Sequence, residues 1–225
     1  MNYRTVLITT GLIAASLVSG AAQAALQGRN MDANALTFEA YYDTDLNITW
    51  LANANLNGLM DWAAANTWAA NLSFYNPLTN QTYADWRLPT TLQPDASCGT
   101  QSGGDSYGYN CTGSEMGHLF YSELGGTAGQ SILTSADPDV AKFTNLQANF
   151  YWSATEYAPG IGLAWGFYFD GGYQDVGDTS YNWFSDFHAL AVSPGDVAAV
   201  PEADTWAMLL AGLTLVGAAT RRRRG

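Results

Sequence analysis

Carboxylates and aromatic rings alternate through one stretch of the chain, Asp170-Gly-Gly-Tyr-Gln-Asp-Val-Gly-Asp-Thr-Ser-Tyr-Asn-Trp-Phe-Ser-Asp186. Asp170, Asp175 and Asp178 offer hard oxygen ligands, while Tyr173, Tyr181 and Trp183 offer flat apolar faces; together these are the ingredients of calcium-assisted sugar binding. The same residues also describe a solvated hairpin, since Asp and Gly are turn formers. Calcium is the one cofactor the pattern suggests. Lectins that bind sugar through calcium usually carry Glu-Pro-Asn or Gln-Pro-Asp, and this stretch has neither, so a sugar site here is expected to work differently.

Other constellations are weaker. Asp43-x-Asp45-x-Asn47 has calcium-loop spacing, but an EF-hand loop needs Gly where Ile48 stands and a bidentate carboxylate where Ala54 stands. A turn is the expected role. His118 and His188 are the only histidines. No nucleophile-elbow motif accompanies them, and neither Gly103-Gly104 nor Gly125-Gly126 has the lysine of a phosphate-binding loop. Paired carboxylates arise by chance in so acidic a chain, so the reading is non-enzymatic, with no catalytic residues assigned.

Both ends are addressing segments. Arg4 precedes an apolar run from Val6 to Val18, and Ala22-Gln23-Ala24 supplies small residues for signal peptidase, which predicts cleavage between Ala24 and Ala25. At the other end, Val200-Pro201-Glu202 precedes an apolar run from Trp206 to Ala219 and the block Arg221 to Arg224. That run is about 14 residues, short of the roughly 20 that span a bilayer comfortably, yet the arginines orient it as a transmembrane helix with its basic end in the cytoplasm. This tail resembles the PEP-CTERM protein-sorting tail of Gram-negative bacteria, in which Val200-Pro201-Glu202 matches the motif read by an exosortase-type membrane protease. Ala203 departs from the family, which usually has a second Pro there. The resemblance implies export across the inner membrane, a transient anchor, then release to the cell surface or matrix. The expected division is residues 1–24 as signal peptide, 25–199 as one domain and 200–225 as sorting tail.

The domain between is strongly acidic. The whole chain carries -12, but Arg29, Arg87 and Lys142 are the only basic residues outside the two ends. Such a surface repels phosphate backbones and excludes nucleic acid as a partner. Aromatic residues make up 13%, enough to fill a core and leave rings near the surface. Cys98 and Cys111, in an exported chain, are expected to form a disulfide across a Gly/Ser-rich loop, contributing about 3 kcal/mol in the chain-entropy picture.

The elements read as follows. Ala35 to Tyr42 and Asn47 to Leu51 are expected strands joined by a turn. Asp61 caps a helix whose face carries Trp62, Ala65, Ala69 and Leu72. Asp85 to Thr90 is extended before and around Pro89. Ser114 caps a second helix, ended by Gly125-Gly126, with a buried stripe of Met116, Leu119, Phe120 and Leu124. Strands are expected at Phe150 to Thr155, Leu163 to Phe169, a short piece at Tyr173 and Phe187 to Val192, with Pro159-Gly160 and Asp170-Gly171-Gly172 as turns. Helices followed by a late antiparallel sheet place the fold in the α+β class.

Asp45-Leu-Asn-Ile-Thr-Trp50, the helix from Trp62 to Leu72, Asp85-Trp86-Arg87-Leu88-Pro89-Thr90, Tyr151-Trp152-Ser153-Ala154-Thr155-Glu156 and Ala189-Leu-Ala-Val192 occur in the order seen in the Lcl C-terminal domain family, which this chain resembles over nearly the whole domain. The resemblance implies a fold similar to C-type lectins and the formylglycine-generating enzymes: two helices, a twisted antiparallel sheet and long loops. The family closes with an Arg before a final Pro-Gly, where this chain has Ser193-Pro194-Gly195. The expected function is an exported protein of the surface or biofilm matrix that binds glycan or exopolysaccharide. The alternative is a structural or protein-interaction component of that matrix with no sugar site.

Overall fold

The computed structural model describes residues 26–32, 34, 36–179 and 186–197. The signal cleavage site at Ala24 and Ala25, the sorting motif Val200-Pro201-Glu202, and Tyr181 and Trp183 lie outside the described residues. In chain order the body runs β1 (Gln27–Arg29), β2 (Ala40–Asp43), β3 (Ile48–Leu51), α1 (Trp62–Ala70), β4 (Phe74–Asn76) and β5 (Gln81–Tyr83). It continues with β6 (Thr100–Ser102), β7 (Asp105–Tyr109), α2 (Glu115–His118), a π-turn (Leu119–Glu123), β8 (Phe150–Glu156), β9 (Leu163–Tyr168), β10 (Tyr173–Asp178) and β11 (Val192–Pro194). One sheet has the order β1-β2-β3-β11, a second β6-β7-β10-β9-β8, and β4 and β5 form a separate hairpin. Mostly antiparallel sheet with two short helices fits the α+β class, but strands stand at the start of the described residues as well as at their end.

Local chemistry explains most of these elements. The Asp43 carboxylate accepts backbone N–H bonds from Asp45 and Leu46, and Asn47 takes a left-handed backbone at φ 53°, closing the β2–β3 turn. The expected strand from Ala35 starts only at Ala40. Asp61 caps α1 by accepting from Ala64 N at 2.7 Å, and fully buried Ala65 and Ala69 let the helix lie close against the body. Ser114 precedes α2 as expected but does not cap it; its hydroxyl accepts from Leu92 N at 3.0 Å instead. The second helix is also not α-helical throughout. After His118 it widens into the π-turn, marked by Leu124 N donating to Leu119 O at 2.9 Å.

The buried side chains form two cores. Trp50, Met116, Leu119, Phe120, Leu124, Tyr151, Phe167 and Phe169 belong to one. Met31, Leu51, Trp86, Leu88, Phe150 and Trp152 belong to the other, roofed by α1. Burying each large side chain contributes roughly 1.5–3 kcal/mol. The segment expected as a strand from Phe187 to Val192 is extended and buried, but becomes a ladder only at Val192. Its alternation serves both cores: Ala189 and Ala191 enter the second, Leu190 and Val192 the first. His188 exchanges backbone bonds with Phe150 and Trp152 of β8, while Val192 exchanges them with Arg87. One extended piece thus stitches the two sheets together, which is why it cannot belong wholly to either.

All three cations of the body are committed. Arg29 forms a two-pronged pair with Asp196 at 2.6 and 2.8 Å, and Arg87 one with Glu115 at 2.7 and 2.8 Å. Lys142 meets Asp139 at 2.8 Å and lies over the Tyr41 ring.

Candidate functional site

The acidic aromatic stretch begins on the β9–β10 hairpin. Register places Tyr173 of β10 between Tyr168 of β9 and Tyr109 of β7. Residues directly opposite across a sheet project to the same side, so the three tyrosines form a row. Tyr109 and Tyr173 meet edge to face with ring centres 4.9 Å apart, and Tyr109 is 41% exposed. Asp175, two residues along β10, shares that face. Partial burial, and then the Asp175 and Asp170 charges, raise the Tyr168 phenol above its ordinary value. Tyr173 is likewise raised, by partial burial first and then by Asp175, Tyr107 and Tyr109. These hydroxyls therefore remain neutral donors across the physiological range.

The turn carrying this row is held from below. Tyr121 of the π-turn donates its hydroxyl to Gly172 O at 2.6 Å and accepts from Asn110 N at 3.0 Å, and Gly129 N donates to Gly171 O at 2.8 Å. Gly172 has φ 76°, and a Cβ there would come within 2.5 Å of the Tyr121 oxygen. The Cys98–Cys111 disulfide is present, with Cα atoms 4.0 Å apart. Between its cysteines the chain is not loose: β6 and β7 pair around Gly103-Gly104, and Gly99 N bonds Tyr109 O at 2.7 Å. The disulfide closes the hairpin that presents Tyr109.

Of the expected site residues, the fold gathers Asp170, Tyr173 and Asp175. Strand alternation sends Asp178, paired with Leu163, toward the opposite face. Among the described residues, Asp170, Asp175 and Asp178 do not converge as a three-ligand metal group. Tyr109 and Tyr168 complete the row and were not expected. The Tyr107-Gly108-Tyr109 alternation after a Gly-Gly turn is the signal that points to Tyr109.

Gln93-Pro94-Asp95 is one of the two lectin tripeptides, so the chain contains that sequence away from the 170–186 stretch. The Gln93–Pro94 peptide bond is cis. Its polar atoms are occupied internally: Gln93 exchanges two bonds with the Ser106 backbone, at 2.7 and 2.8 Å. Asp95 accepts from Ser97 N and Oγ and from Gly113 N. In this fold the tripeptide braces β7.

A second cluster joins residues far apart in sequence. His118 Nε2 lies 3.2 Å from Glu123 Oε1 and 3.8 Å from Asp43 Oδ2. The Asp43 and Glu123 side chains are 0% and 1% exposed. The hydrogen bond to Glu123 is the main cause raising the His118 pKa; burial opposes it, and the Asp43, Glu123 and Asp45 charges reinforce it. His188 has the opposite character: it bonds Asn55 Oδ1 at 2.9 Å, and burial lowers its pKa.

Among the described residues no helix is long and apolar enough to cross a membrane. No curated protein and no solved structure was found to match the chain. The PEP-CTERM protein-sorting motif matches residues 199–224, within one residue of the expected tail at each end. This protein therefore ends in a PEP-CTERM sorting segment, which implies export, exosortase processing and a sorting tail at the cell envelope.

Proposed function

We propose that the body is a non-enzymatic binding module for neutral glycan or exopolysaccharide, delivered outside the inner membrane by its sorting tail. The row Tyr109–Tyr173–Tyr168, flanked by Asp170 and Asp175, carries this reading. Flat rings stack on the apolar faces of sugars, and neutral phenols and carboxylates supply donors and acceptors for their hydroxyls. With Arg29, Arg87 and Lys142 all paired to acids, the described body offers no uncommitted Lys or Arg to an anionic polymer. The order of motifs resembles that of the Lcl C-terminal domain family, and the lectin-like part of this proposal starts from that resemblance.

The test is glycan-array and exopolysaccharide binding by the purified protein, with and without calcium, beside Tyr173→Ala and Trp183→Ala variants. Binding that Tyr173→Ala abolishes supports the row as the site; no binding by folded protein under either condition rejects it. A second reading, a protein-interaction component of the matrix, is favoured by one observation. A groove of about 490 Å³ is lined by Leu36, Phe38, Leu56 and Phe74, with Leu36 93% exposed. Such exposed apolar surface suits association with another protein.

A further inference from the structure

We infer that Asp43, His118 and Glu123 form a binding site for a divalent transition-metal ion, with zinc the best fit. The inference is independent of the glycan reading. His118 Nε2, Glu123 Oε1 and Asp43 Oδ2 converge, all three within 4.8 Å of one another. Zinc bonds of about 2.0–2.1 Å arranged tetrahedrally imply ligand-to-ligand edges of about 3.3–3.4 Å. The observed edges of 3.2 and 3.8 Å bracket that value. One imidazole nitrogen and two carboxylate oxygens are a zinc-type donor set, leaving one tetrahedral position for water. Calcium, which takes six to eight oxygens, is a poor match.

Charge balance points the same way. Two carboxylates at 0% and 1% exposure face a single histidine. With His118 protonated, one negative charge remains buried; with His118 neutral and a divalent cation bound, none does. Among the described residues the hydrogen-bond partner of the buried Glu123 side chain is His118. Asp43 is better held: Trp50 Nε1 donates to Oδ2 at 3.2 Å, fixing its orientation.

The backbone device that creates the cluster is the π-turn. Five residues along an α-helix turn a side chain about 140° away from its starting direction, so His118 and Glu123 would face different sides. The wider turn over Leu119–Glu123 brings them together, and such turns inside helices often mark functional sites. Exposed Asp45 lies near enough to act on His118, adding a carboxylate beside the cluster.

The test uses the full chain, stripped with a chelator and dialysed against zinc, with bound metal counted by plasma mass spectrometry. We expect one equivalent of zinc and a melting temperature raised by about 5–10 °C in excess zinc. Cobalt in place of zinc should give the intense visible bands of tetrahedral coordination, and calcium should give neither effect. Glu123→Gln and His118→Gln should each weaken zinc binding at least tenfold to a hundredfold. Absence of stoichiometric zinc from the folded wild-type protein overturns the inference. So does zinc that binds equally well in both variants, which places it elsewhere. Because the wild-type stoichiometry decides first, a variant that fails to fold does not protect the idea.

Discussion

The tyrosine row and the Asp43–His118–Glu123 cluster are built from the same acidic composition, yet their surroundings give them opposite properties. On the sheet face, Asp170 and Asp175 stay near water, where a charge needs no partner and contributes little to stability. In the core, Asp43 and Glu123 have lost that solvent: Asp43 is held by Asp45 N, Leu46 N and the Trp50 indole, and Glu123 leans on His118. Acidity alone therefore says nothing about role. Exposure is what suits the first region to the ligand role proposed for it, and burial leaves the second in need of counter-charge.

The largest effect is expected at His118. His118→Ala takes from the buried Glu123 carboxylate its hydrogen-bond partner and from Asp43 a neighbouring charge, and should cost about 3–5 kcal/mol, read by urea denaturation in the absence of metal. A loss near zero would mean that the buried acids do not depend on it. Replacing both Cys98 and Cys111 with Ser should cost about 3 kcal/mol. It should also weaken glycan binding, because the hairpin presenting Tyr109 loses its closure. Tyr121→Phe removes the hydroxyl shared by Gly172 and Asn110, with an expected loss of about 1–2 kcal/mol. If the row depends on that brace, affinity falls with stability.

His188 sharpens the contrast through pH. Its folded pKa is depressed, so the unfolded chain binds its proton more readily. The stability it contributes is fully present above about pH 6.5 and is lost as pH falls through that value toward the folded pKa. Melting curves from pH 7.5 to 5 should therefore fall more steeply for wild type than for His188→Asn; parallel curves would remove burial as the controlling influence. The smallest effect belongs to the open face. Asp175→Asn should change stability by no more than about 0.5 kcal/mol while altering glycan affinity.

Some of this was legible in the residues. Turn chemistry identified the Asp170-Gly171-Gly172 hairpin, and helical spacing identified Met116, Leu119, Phe120 and Leu124, all buried. The Asp43–His118–Glu123 cluster was hidden by that same helical reading, since His118 and Glu123 diverge at α-helical pitch and only the π-turn reunites them. Distance hid Asp43, which is brought in by the β2–β3 turn from far upstream. The β6–β7 hairpin was obscured because short polar residues in a disulfide loop suggest slack chain, although Gly103-Gly104 was a turn signal. The segment from Phe187 read as one strand because alternation reports burial on two sides without revealing that the two neighbours are different sheets.

The Arg29–Asp196 clasp gives the molecule a mechanical property. Arg29 stands just after the expected signal-peptidase cut, and Asp196 stands just before the sorting segment at residues 199–224. The first and last stretches of the body are therefore fastened together at one corner, with β11 inserted beside β3 immediately upstream. Traction on the chain beyond Val197 would load this clasp and the β11 ladder before reaching either core. The corner next to the sorting segment is thus a reinforced hem, and the tyrosine row sits on a separate sheet from it.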